Sequence, residues 1–207
     1  MASYTQLQAD VNEVATRTVS TLAYTSLTAE LNARLRLTLM EAIDDITTTD
    51  DVEAYALAAD FLEARNVFLF SAGLAAQGIP RLPVQLTTEF DANVSLSLSG
   101  LPTEAHISKG SIRLNPIPDA EYTLRIRYIA KLADLSGGSD TNDVMDNHYN
   151  IYLYGALKHH TALTRDMEMT AHWGGMFEEA VKQAELADAR KLYGAESLAV
   201  LPPQRGG

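Results

Sequence analysis

No cysteine occurs among the 207 residues, so disulfides, thiolate nucleophiles and cysteine-based metal sites are excluded. Positive charge is scarce as well. With 27 acidic against 16 basic residues and a formal charge of -11, the chain is a poor candidate for holding nucleic acid non-specifically by neutralising phosphates. No apolar run approaches the roughly 20 residues that a membrane span needs. No basic stretch leads into an apolar one at the start, and the expectation is a soluble chain without a targeting signal. The motifs GxSxG, HExxH, GxGxxG and the P-loop are all missing.

What remains for chemistry is thin. His159 and His160 form the one adjacent histidine pair, but neighbouring helix positions point about 100° apart and do not chelate one ion from the same face. The carboxylate neighbours Asp44-Asp45, Asp50-Asp51 and Glu178-Glu179 read as solvated surface, because general acid–base work needs a carboxyl in a pocket that shifts its pKa. The run from Asp44 to Glu53 has neither the glycine nor the ligand spacing of a calcium loop. The sequence therefore predicts no catalytic, cofactor or metal residue, and no enzyme.

The pattern along the chain is helix, strand, helix. Leu7, Val11, Val14, Ala15 and Val19 fall on one helical face and predict a helix from Tyr4 to about Ser20. A second helix is expected after Thr25 or Ser26 as its cap, with Leu27, Leu31 and Leu35 as its stripe and Arg34 and Arg36 beside it. From Glu41 the β-branched content rises and strands are expected. Val67 and Leu69 alternate with Phe68 and Phe70 on a strand with two apolar faces. The region Gly73 to Gly78 reads as a turn. Leu82, Val84 and Leu86 predict a half-buried strand, which Pro80 and Pro83 push to a sheet edge. Thr88-Glu-Phe-Asp suggests one helical turn, and DANVSLSLSG suits either a short strand or an exposed loop.

Lys109-Gly110 predicts the turn of a hairpin over Ala105 to Leu114. A rigid Pro116-Ile-Pro118 turn follows. Tyr122, Leu124, Ile126 and Tyr128 then alternate with Arg125 and Arg127, the clearest strand of the chain. Ser136 to Asp143 reads as a flexible connection. Beyond it, a broadly apolar helix from about Asn147 to Thr164 and a long helix from a cap at Asp166 to about Tyr193 are expected. Gly174-Gly175 suggests a kink or a close helix approach in the latter. The remaining ESLAVLPPQRGG cannot continue a helix past Pro202-Pro203 and reads as extended. The expected fold is α+β, and its segregated order suits a helical bundle made by residues 1–40 and 136–194 that carries a β-rich insertion at 41–135, with a tail at 195–207.

Three segments, YALAADFLEARNVFL (Tyr55 to Leu69), SIRLNPIPDAEYTLRIRYIAKLADLS (Ser111 to Ser136) and TNDVMDNHYNIYLYGALKHHTAL (Thr141 to Leu163), together resemble the head–tail adaptor family of tailed bacteriophages. The order strand, Pro-x-Pro turn, Tyr-Thr-Leu strand and Tyr-Leu-Tyr-Gly-Ala-Leu helix is similar to the family's. Tyr149 and Ala59 stand where proline is common in the family, and Ala105 where an aromatic is usual. The resemblance implies a structural virion protein of the neck, made in the host cytoplasm. It implies a homo-oligomeric dodecameric ring between the portal protein and a tail or nozzle protein, with DNA passing through the lumen without specific binding. Leu198, Val200, Leu201, Pro202 and Pro203 are the candidates for docking on the portal. Arg34, Arg36, Arg125 and Arg127 are the candidates for subunit contacts. A virion-associated cell-wall hydrolase and a different neck ring, a stopper or tail terminator, stand as alternatives. The second of these calls for a predominantly β chain with no long terminal helix.

Overall fold

A computed structural model describes residues 3–88 and 98–194. The expected turn from Thr88, most of DANVSLSLSG, and the tail candidates Leu198, Val200, Leu201, Pro202 and Pro203 lie outside the described residues. The fold is α+β, with helices from both ends of the chain flanking the strands. The chain divides into two compact units, Met1–Leu37 with Ala133–Gly207, and Thr38–Leu132.

The helical unit opens with α1 (Tyr4–Ala15), whose first turn is capped by the Ser3 hydroxyl accepting from Gln6 N. Tyr4, Leu7 and Val11 are its buried stripe. The helix stops at Thr16, a left-handed residue at φ 54°, well before Ser20. Val14, in the last turn of the helix, is exposed, and Val19 is buried from the following loop, its amide donating to Asn12 Oδ1. An apolar loop residue had mimicked another helical turn. Helix α2 (Thr21–Arg34) begins earlier than Thr25, because the cap is Ser20, whose hydroxyl accepts from Leu22 N at 3.2 Å.

Residues 136–140 form a built connection. The Asp140 carboxylate accepts from the amides of Ser136 and Gly137 at 2.9 and 2.6 Å, while the carbonyls of Gly138 and Asp140 accept from Thr5 N and Tyr4 N. Two amides of the first turn of α1, which have no partner inside the helix, are satisfied in this way. Asn142 then caps α4 (Asp143–Asn147), and Asp166 Oδ1 caps α6 (Met167–Gly194) by accepting from Met169 N. Between them lies α5 (Tyr149–Leu163), which packs against α1, α2, α4 and α6. Its buried face carries Ile151, Tyr152, Gly155, Ala156, Leu157, His160 and Thr161. The Tyr149 hydroxyl donates to Asp10 of α1 at 2.6 Å.

Gly155 is the close-approach glycine of the bundle. A Cβ there would stand 2.3 Å from Leu27 Cδ1 and 3.1 Å from Phe177 Cε2, side chains of α2 and α6. At Gly174 and Gly175, where a kink or a close helix approach is the expectation, an added Cβ meets nothing within 4 Å, so no close approach occurs there.

The β unit holds two four-stranded sheets and a short two-stranded pairing. The first has the order β1 (Glu41–Thr47), β10 (Thr123–Ala130), β3 (Phe61–Phe70), β4 (Leu82–Pro83), all antiparallel. The second has the order β2 (Ala54–Ala56), β8 (Ser111–Asn115), β7 (Glu104–Ser108), β5 (Gln85–Thr87), with β5 parallel to β7. Strands β6 (Ser99–Gly100) and β9 (Ile117–Pro118) pair in parallel. Leu124, Ile126 and Tyr128 of β10, Val67 and Leu69 of β3, and Ala105, Ile112 and Leu114 of the second sheet share one core. Alternation along β10 is therefore what buries that core. A register shift between Arg127 and Tyr128 lets Ile129 be buried next to Tyr128.

Two local expectations change in this unit. The Gly73 region contains a short helix, α3 (Ala72–Ala76), capped by the Ser71 hydroxyl, with Gly78 at φ 79° after it. The Leu82 to Leu86 alternation belongs to two strands in different sheets. Val84 N donates to Val67 O on one side and Gln85 N to Thr103 O on the other, so buried Val84 marks the crossing. Both pieces are edge strands, as the prolines require. The hairpin turn falls at Lys109 and Gly110, at φ 49° and 78°, the pairing of positive angles that a two-residue loop of this hand needs.

Gly155→Ala is expected to destabilise the helical unit by about 1–3 kcal/mol through overpacking. Gly174→Ala, in open space, should stabilise it by up to about 1 kcal/mol through helix propensity. Urea titrations followed by the helical circular-dichroism signal check both. A Gly155→Ala chain as stable as the parent would contradict the close approach.

Candidate interaction surfaces

The strongest side-chain constellation of the helical unit joins α2, α5 and α6 around one carboxylate. Glu30 accepts from Lys158 Nζ at 2.7 and 2.8 Å and from Arg34 Nη1 at 3.1 Å, and His159 Nε2 lies 2.8 Å from its Oε2. Arg34 also holds Glu178 through two bonds of 2.7 and 2.6 Å. The Arg34 and Lys158 cations stand 5.6 and 4.5 Å from the centroid of the Phe177 ring, the same ring that faces Gly155. Desolvation is the largest influence on Glu30 and raises its pKa. Hydrogen bonds and charge from Lys158, with the bonds from His159 and Arg34, together outweigh it and leave the carboxyl below its ordinary value. The Arg34 bond holds Glu178 low too.

Arg36 donates to the carbonyls of Asn32 and Leu35, closing the C-terminus of α2, where a cation also meets the negative end of the helix dipole. In the β unit, Arg125 holds Asp45 through bonds of 2.7 and 2.6 Å, and Arg127 donates to Glu41 at 3.0 Å. The Arg125 guanidinium also covers the Phe70 ring and that of Arg81 the Phe68 ring, each 5.1 Å from the centroid. The second apolar face of β3 is thus half-covered by arginines lying on the sheet. All four arginines nominated from the sequence are engaged within the chain, in two separate units.

The histidine pair divides. His159 faces Glu30, and His160 is buried, its pKa lowered by burial and by the Arg17 charge. Among the described residues no group of three or more His, Asp or Glu is placed to hold a metal ion. No described helix is long and apolar enough to cross a membrane.

At the end of the helical unit where α1 stops and α5 turns into α6, a pocket of about 360 Å³ opens. Val14, Thr16, Arg17, Leu157, His160, Thr161, Thr164, Asp166, Met169 and Trp173 line it. Of its lining, Val14 is 47% exposed, and in the turn from α5 to α6 Met167 is 74% exposed and Leu163 49%. Sequence patterning does not mark this pocket, since its residues come from three helices and two turns. Glu30 left one local trace, its spacing of four residues from Arg34 on α2.

Because Glu30 and Glu178 titrate below their ordinary values, their contribution to stability is complete above about pH 4.5 and is lost as pH falls through the depressed folded values. Glu30→Gln is expected to cost about 1–3 kcal/mol at pH 7, since it leaves Lys158 without its carboxylate. It should also flatten the loss of stability below pH 4.5. Urea midpoints measured from pH 7 to pH 3 check this, and an unchanged acid limb in the variant would contradict it.

Comparison with known proteins agrees with the architecture. No curated protein matches the chain. The family model described as SU10 adaptor protein matches residues 2–200, spanning both units. The chain belongs to that family, a family of phage head–tail adaptors.

Proposed function

We propose that the protein is a structural component of the virion neck, assembling side by side into a dodecameric ring that joins the portal to the tail and surrounds the DNA channel. The observation that carries this reading is the match of the adaptor family across residues 2–200. Physical features agree with it. A formal charge of -11 suits a channel wall that lets DNA pass without holding it. A closed ring built head to tail uses two different patches on each copy. The helical unit offers apolar groups on more than one side, with Leu22 and Leu186 exposed as well as Met167 and Leu163. Arg34, Arg36, Arg125 and Arg127 meet a neighbour in this ring as groups already paired, which limits the desolvation an isolated charge would suffer. The 28-residue α6 argues against a predominantly β stopper or terminator ring.

Purified chain mixed with the portal of its own phage should give a closed ring seated on the portal by negative-stain electron microscopy. Bare portals beside unbound chain, at concentrations well above those of assembly, would defeat the proposal.

A further inference from the structure

The pocket at the α1/α5/α6 end joins two kinds of chemistry. Its rim is apolar, through Val14, Met169 and Trp173, and its polar lining holds Arg17, His160, Thr16, Thr161, Thr164 and Asp166, whose carboxylate is taken up by the amide of Met169. The arginines at 34, 36, 65, 81, 113, 125 and 127 each hold a carboxylate, a carbonyl or an aromatic ring. Arg17, Arg165 and Arg190 hold none of these among the described residues, and the first two belong to this end of the unit. Arg17 lines the pocket, and Arg165, at φ 61°, lies between the lining residues Thr164 and Asp166. In a chain with an excess of acids, two unpaired arginines beside an exposed apolar rim call for an occupant that is acidic at one point and apolar next to it.

The segment after Gly194 has that composition: Ala195-Glu196-Ser197, then Leu198, Val200, Leu201, Pro202 and Pro203. Its own chain cannot deliver it. Along α6, Met169, which the leucines have to cover, lies 25 residues before Gly194, about 38 Å at 1.5 Å per residue. Leu201 lies seven residues beyond Gly194, a reach of about 25 Å even when fully extended. We propose that the pocket receives the residue 196–203 segment of a neighbouring copy. Glu196 then meets Arg17 and Arg165, the leucines and valine cover Val14, Leu163 and Met169, and the prolines lie against Trp173. The assignment rests on the ring reading and gives the segment a different seat from the portal that the sequence alone suggests. A swapped segment of this kind links each copy to the next and closes a ring without enlarging the contact between the folded units.

Trp173 is the one tryptophan of the chain, and residues 195–207 contain no aromatic, so its emission reports on a synthetic 195–207 peptide added in excess to the full-length protein. A saturable change is expected. Arg17→Glu should weaken binding about threefold to fivefold, and a peptide carrying Glu196→Lys should restore it on that variant. Met169→Glu should weaken binding about tenfold. As a second measurement, the absence of cysteine allows a Thr164→Cys chain to be mixed with an Ala199→Cys chain and oxidised. A disulfide between the two chains is the expected product. No emission change, binding indifferent to both substitutions, or no cross-linked pair would each overturn the assignment. If these fail while the ring still forms on the portal, only the seat of the segment is lost and the neck reading stands. If the cross-link forms and no ring seats on the portal, the neck reading fails instead.

Discussion

The close approach of α2, α5 and α6 at Gly155 is the constraint on which the helical unit depends. With no side chain at that point, Leu27 and Phe177 reach the α5 backbone from two sides. That proximity brings Glu30, Lys158, Arg34 and Glu178 into one network of hydrogen bonds, whose two cations lie over the same aromatic ring. Packing and electrostatics are therefore coupled here. The burial that would penalise the Glu30 charge is offset by three cationic or protonatable partners, of which Arg34 lies on the same helix while Lys158 and His159 reach it from α5 only because the helices are this close.

A second theme is how an acidic chain uses its few cations. Most arginines are committed to neighbours in their own unit, on the sheet as much as in the bundle. The chain keeps its formal charge of -11 while its local repulsions are relieved by specific pairs. Arg17 and Arg165 depart from that habit together at the pocket where α1 stops and α5 turns into α6, which is why that end of the bundle stands out as a place for a partner.

Much of the fold was legible because one-sided burial imprints a period on the sequence. The Leu124, Ile126, Tyr128 alternation and the Lys109-Gly110 turn carried the β unit, and the Asp166 cap carried the long helix. Where reading and structure part, the deciding contact is non-local. Val19 looked helical because it is buried, yet its loop is set by Asn12. Residues 136–140 looked flexible by composition, yet Asp140 and Gly138 lock them to the first turn of α1. The glycine pair at 174–175 drew attention through propensity, while the glycine that governs packing is single and sits among tyrosines. For the interaction surfaces, the sequence marked the arginines but not their partners, because pairs such as Arg125 with Asp45 span 80 positions of chain. The pocket is assembled from three helices and two turns, so no single stretch of sequence marked it.

The most direct measurement is a cryo-electron microscopy reconstruction of the neck of the intact virion. The account predicts a closed ring of this chain directly below the portal, each copy showing a helical body and a β body. A neck whose ring below the portal is built from a different chain, with this protein absent from the virion, would contradict it.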